Sequence, residues 1–126
     1  MTAVNAIRSI LAVLAGYAVF VLGAALVFGL SGQKPHADAS AGFKTLAIVV
    51  GTAFAIAGGY LTGSIAKKAP VGHATALGVV LAGIAAWSIH ASPVKDPIWS
   101  QVSALLFMAP GAILGGVFRS LQRDRD

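Results

Sequence analysis

The chain has 126 residues, of which 57% are hydrophobic and 10% charged, with a formal net charge of +5. A soluble domain carries about a quarter of its residues as charges, so this composition excludes an ordinary water-soluble globule and points to one integral membrane unit. The absence of cysteine excludes disulfides, thiolate metal sites and cysteine nucleophiles, and basic residues that stand singly or in pairs favour anionic phospholipid over nucleic acid as the counter-charge.

Four apolar runs follow in chain order, each free of Asp, Glu, Lys and Arg: Ile10 to Leu30, Leu46 to Ala66, Val71 to His90 and Ile98 to Phe118. About 20 residues at 1.5 Å rise cross the roughly 30 Å hydrocarbon layer, so each is long enough to span it. The first run exceeds the usual h-region of a secretory signal, and GLSGQ has no clear A-x-A cleavage pattern, so it is expected to remain as a helix. Between spans one and two, SGQKPHADASAG reads as an irregular external loop. Lys67, Lys68, Ala69 and Pro70 form a short turn in which the lysines face the negative end of the second helix and Pro70 opens the third. Before the fourth span, Ser92 and Pro93 end a helix, Asp96 is placed to cap the next, Pro97 suits its first turn, and Trp99 belongs at headgroup level.

Arg8, Lys67, Lys68, Arg119, Arg123 and Arg125 fall on one side of this threading, against Lys34, Lys44 and Lys95 on the other. The positive-inside rule then makes both termini cytoplasmic. The expected fold is an all-α, up-down-up-down, four-helix transmembrane bundle forming a single domain over residues 1–126.

Small residues recur at intervals of four: Gly51, Ala55, Gly59 and Gly63 in the second span, and Ala74, Gly78, Ala82 and Ala86 in the third. Spacing by four keeps each set on one helix face. Because lipid supplies little hydrophobic drive between helices, close backbone approach provides much of the packing energy, and these two faces are expected to meet. Phe54, Gly58, Leu61 and Gly63 are matched 53 positions later by Phe107, Gly111, Leu114 and Gly116, a pattern suggesting two related hairpins. Pro110 removes a helix donor and displaces the Leu106 carbonyl, so a kink is expected there.

Reactive groups are scarce. No G-x-S-x-G, H-E-x-x-H, phosphate-binding glycine loop or carboxylate pair occurs, and Asp38, Asp96, Asp124 and Asp126 all lie outside the spans. The polar side chains within or beside the spans are Tyr17, Thr52, Tyr60, Thr62, Ser64, Thr75, Ser88, Gln101 and Ser103, with His73 and His90 near span ends. Ala86-x-x-x-His90 and Ala69-x-x-x-His73 are similar to the A-x-x-x-H ligand pattern of bacterial light-harvesting helices, in which neutral imidazole takes an axial position on a chlorin metal. No catalytic residue, metal site or required cofactor is expected, and His90, then His73, are the candidates for a bound pigment.

From Gly58 to Phe118 the sequence resembles a widespread group of small bacterial four-helix membrane proteins to which no activity is assigned. The resemblance lies in GGYLTGSIAKKAPVGHATALG, HASPVKDPIW and MAPGAILGGVF. This chain departs from the group where its His-Pro element is stretched: His90 and Pro93 are separated, and Pro97 precedes Trp99 by two. The resemblance implies the four-helix topology and a bacterial inner membrane. The leading expectation is a non-enzymatic accessory or structural subunit that packs against membrane partners through small-residue faces. A small oligomeric channel or transporter comes second and a pigment-binding subunit third.

Overall fold

The computed structural model describes residues 3–93 and 96–125, so Lys95 and Asp126, both read above as lying outside the spans, fall outside the described residues. Four helices carry the chain: α1, Ala3–Ser31; α2, Ala41–Ala66; α3, Pro70–Ala91; and α4, Trp99–Arg125. Each is long and apolar enough to cross a membrane, and no strand occurs among the described residues.

The helices overrun the apolar stretches for local reasons. At α2 the Ser40 side chain accepts a hydrogen bond from the Phe43 amide at 3.1 Å, satisfying a free donor and starting the helix at Ala41 instead of Leu46. Helix α4 begins after Ile98, which makes no side-chain cap. Asp96 therefore does not take the capping role expected of it; its amide instead donates to the Pro93 carbonyl at 2.9 Å, and Pro97 precedes the helix instead of occupying its first turn. Pro70 does open α3.

Pro110 has its effect one turn upstream. Helix α4 passes from α-helix (Trp99–Ser103) through a π-helical turn (Ala104–Met108) back to α-helix (Ala109–Arg125), and the Ala109 amide donates to the Ala104 carbonyl. The Leu106 carbonyl that proline would crowd lies inside this widened turn, which is how the helix accommodates a residue with no amide hydrogen.

The α2–α3 turn is left-handed without glycine. Lys67 has φ 65° and Ala69 φ 48°, and the Lys68 amide bonds back to the Ala66 carbonyl at 2.7 Å. That closes a γ-turn of the rare positive-φ kind around Lys67, a conformation that ordinarily costs L-residues of order 1 kcal/mol or more.

Helix directions follow from the contacts. Gly16 lies against Gly58 and Gly23 against Phe54, so α1 and α2 are antiparallel; Gly78 lies against Ala109 and Gly116 against Ala74, so α3 and α4 are too. Helices α2 and α3 sit between α1 on one side and α4 on the other. The buried interior is built from Ala12, Ala47, Ala55, Ala74, Ala85, Ala109 and Ala112 with Leu77, Leu81 and Met108. The large aliphatic side chains Leu14, Leu26, Val49, Val79, Leu106 and Leu114 point outward instead.

Candidate functional site

The small-residue faces converge on α4. A side chain at Gly59 would strike the Ala112 backbone, one at Gly63 would come within 2.9 Å of the Pro70 side chain, and one at Gly78 within 2.9 Å of the Ala109 carbonyl. Gly116 abuts Ala74 and the Pro70 carbonyl, and Gly111 lies against Thr52. Gly51 meets only the flexible end of Met108. Ala55 and Ala74 are fully buried. The second- and third-span faces thus do not chiefly meet each other, because α4 contributes small residues of its own and fits against both. Ala82 is half-buried, whereas Ala86 faces outward, so it does not belong to the internal packing face expected of it.

The tightest backbone approaches include positions outside those stripes. Gly16 and Gly58 cross so closely that a side chain on either would lie 2.6 Å from the other's carbonyl oxygen, and one at Gly115 would lie 2.7 Å from the Tyr60 amide. Thr62, fully buried, donates its hydroxyl to the Ala12 carbonyl at 2.8 Å beside this crossing. Among the matched glycines of the 53-residue repeat, Gly58 packs on α1 but Gly111 on α2, so equivalent positions serve unlike neighbours.

At one end of the bundle the long loop is fastened to the start of α4. The Trp99 indole donates to the Ala37 carbonyl at 2.9 Å, and Ser100 Oγ lies 2.7 Å from the Pro35 carbonyl and 3.0 Å from Gln101 Oε1, sharing one proton between two acceptors. Gln101, only 5% exposed, aims its amide nitrogen at His36 Nδ1 (3.0 Å), Ser88 Oγ (3.2 Å) and Ser92 Oγ (3.4 Å). An amide nitrogen only donates, so His36 Nδ1 accepts and the imidazole carries its proton on Nε2. Phe28, Phe43 and Trp99 pack mutually with ring centroids 5.9 to 6.2 Å apart, and Lys44 reaches over Trp99 to pair with Asp38 at 2.9 Å. The hydrogen bond from Lys44 is the main cause that holds the Asp38 carboxyl below its ordinary pKa, helped by the Ala39 amide and the lysine charge. A cavity of about 220 Å³ lies beside Gln101, His36 and Ser88.

At the opposite end, His73 uses both ring nitrogens. Nδ1 lies 3.0 Å from the Ala69 carbonyl, which can only accept, so Nδ1 carries a proton; Nε2 lies 2.8 Å from the Ser9 hydroxyl. To ligate a pigment metal His73 would have to give up one of these bonds, and Ala69 lies before the helix in a left-handed conformation. His90 is exposed, its ring tilted 41° against Trp87 with centroids 5.8 Å apart, and Ala86 faces outward one turn earlier. Among the described residues no group of three or more His, Cys, Asp or Glu could hold a metal ion.

The sequence pattern singled out neither the Gln101 cluster nor the Ser9–His73 pair, since their partners lie up to 65 residues apart. Comparison of the chain with protein-family models, curated proteins and solved structures finds no match.

Proposed function

We propose that this is a non-enzymatic, multi-pass protein of a bacterial inner membrane, with both termini cytoplasmic, that acts as an accessory subunit by packing laterally against other membrane proteins. The observation that carries this reading is the outward face of α3. Val79 (65% exposed), Gly83, Ala86 and Trp87 (69% exposed) share one side of the helix, and a side chain added at Gly83 would meet nothing within 4 Å. Small residues beside an aromatic allow a second helix to approach this backbone closely, as the internal glycines do within the chain. Membrane embedding is supported by the alanine- and glycine-filled interior under an outward layer of Leu and Val, the reverse of the usual arrangement in water.

Affinity purification in mild detergent tests the role. Gly83→Leu should leave the thermal midpoint of the isolated protein unchanged and abolish recovery of its membrane partner, while His90→Ala should alter neither. Gly59→Leu, driven into the Ala112 backbone, should cost at least about 3 kcal/mol and lose the folded protein itself. Full partner recovery with Gly83→Leu would contradict the assignment.

A channel or transporter reading is favoured by the cavity beside Gln101, Ser88 and His36, whose remaining lining is largely apolar. Pro110 stands apart from it on the exposed side of α4, and Leu81, which lines it, packs with Leu77 and Met108 in the core. Solute flux through vesicles holding the purified protein would support that alternative. A pigment-binding role would use His90, whose ring is accessible, and would show as a visible absorption band in the purified protein.

A further inference from the structure

The end of the bundle where α1 begins and α4 finishes holds a cavity of about 220 Å³, lined by Asn5, Arg8, Ser9, Lys67, Lys68 and His73 together with Ala66. Its volume is that of about seven water molecules at liquid density, and three basic side chains line it. Among the described residues the one ion pair is Lys44–Asp38 at the far end, so no described carboxylate neutralises Arg8, Lys67 or Lys68. The turn at Lys67 and Ala69 places both lysines in the lining of this cavity, and the Ser9–His73 hydrogen bond ties α1 to α3 beside it.

Ser9 and His73 also line a second, larger space. A laterally open groove of about 580 Å³ runs between α1 and α3, lined by Ile10, Val13, Leu14, Gly72 and Ala76 and almost wholly apolar. The basic cavity at the bundle end therefore adjoins an apolar groove along the helices, with Ser9 and His73 lining both.

Each half favours a different part of one occupant. A soluble anion would leave the groove unfilled, and a neutral hydrocarbon would leave three cations without a counter-charge. We propose that the two spaces together hold one anionic phospholipid, with its headgroup phosphate among Arg8, Lys67 and Lys68 and an acyl chain along Val13, Leu14 and Ala76. Charge attraction to the phosphate and burial of the chain would act together, which confers preference over zwitterionic lipid through the first term and over free phosphate through the second. The inference rests on the membrane reading above but not on the lateral partner, since Val79 and Gly83 line neither space.

Native mass spectrometry of the full chain, released from detergent after exposure to equal amounts of dioleoyl phosphatidylglycerol and dioleoyl phosphatidylcholine, tests it. The expected result is one retained phosphatidylglycerol, favoured at least ten-fold. Combined Arg8→Gln, Lys67→Gln and Lys68→Gln should reduce that preference to parity, and Arg8→Gln alone should reduce it in part. Ala76→Phe, which fills the groove and leaves the charges, should lower retention of both lipids. Equal retention of the two lipids by the unaltered protein would overturn the proposal, as would an unchanged preference in the triple variant. Displacement of the lipid by millimolar glycerol phosphate would also overturn it, by assigning the cavity to a soluble phosphate. Failure of the membrane reading itself looks different: the protein would then be a monomer in detergent-free buffer.

Discussion

Two threonines on α2, ten residues apart, show how burial alone misleads. Thr62 Oγ1 donates to the Ala12 carbonyl across the α1–α2 crossing, whereas the Thr52 hydroxyl is buried with no hydrogen-bond partner. Thr62→Val should cost about 1 kcal/mol, in line with interhelical hydrogen bonds in membranes, while Thr52→Val should be neutral or stabilising because it removes an unpaired polar group. Unfolding in a detergent of graded denaturing strength measures both, and equal losses would contradict the difference. Asp38 gives a pH dependence. Its folded pKa is depressed by Lys44, so its contribution is present at neutral pH and is lost as the pH falls through that lowered value, below the ordinary 3.8. In a Trp87→Phe background, Trp99 fluorescence should shift over that acid range and should not shift once Asp38→Asn is added. The spacing of alanine and histidine marked His73 in the residues; that it is engaged at both nitrogens was not legible there, because Ser9 lies 64 positions away.

At the scale of the helices, existence and order were legible and the ends were not. Apolar length decides whether a segment can span, but Ser40, Ile98 and the π-turn before Pro110 decide where helices begin and how they run. The intervals of four mark an inward face from Ala74 to Ala82 but not at Ala86, and they do not say which neighbour a face meets: α4 rather than α3 takes most of the glycine stripe of α2. The α2–α3 turn offers a direct test. Ala69 sits at φ 48° and ψ 58°, a left-handed conformation that costs an L-residue about 1 to 2 kcal/mol and glycine almost nothing. After allowance for the greater freedom of glycine in the unfolded chain, Ala69→Gly should stabilise the protein by about 0.5 to 1 kcal/mol. A rise in thermal midpoint is expected, and a fall would show that this turn is not strained.

The whole molecule reverses the usual division between interior and surface. Leu77 and Thr62 are the largest fully buried side chains, while Ile10, Leu14, Leu22, Leu46 and Phe107 are more than half exposed or close to it. Composition announced this inversion from the start, since hydropathy counts residues without needing their neighbours. The polar cluster at one end and the basic cavity at the other could not be read that way, because each draws on three or four segments brought together only by folding. Lipid as the solvent of the helical surface, with backbones in near contact beneath it, is the claim on which the rest depends.

The chain has no cysteine, so single cysteines introduced one at a time report their own surroundings. Labelling of intact cells with a membrane-impermeant maleimide is the most direct test. Gln33→Cys should react from outside, Lys68→Cys only after the membrane is opened, and Leu14→Cys and Val79→Cys under neither condition. Reaction of Leu14→Cys or Val79→Cys in intact cells, or of Lys68→Cys before Gln33→Cys, would contradict the account.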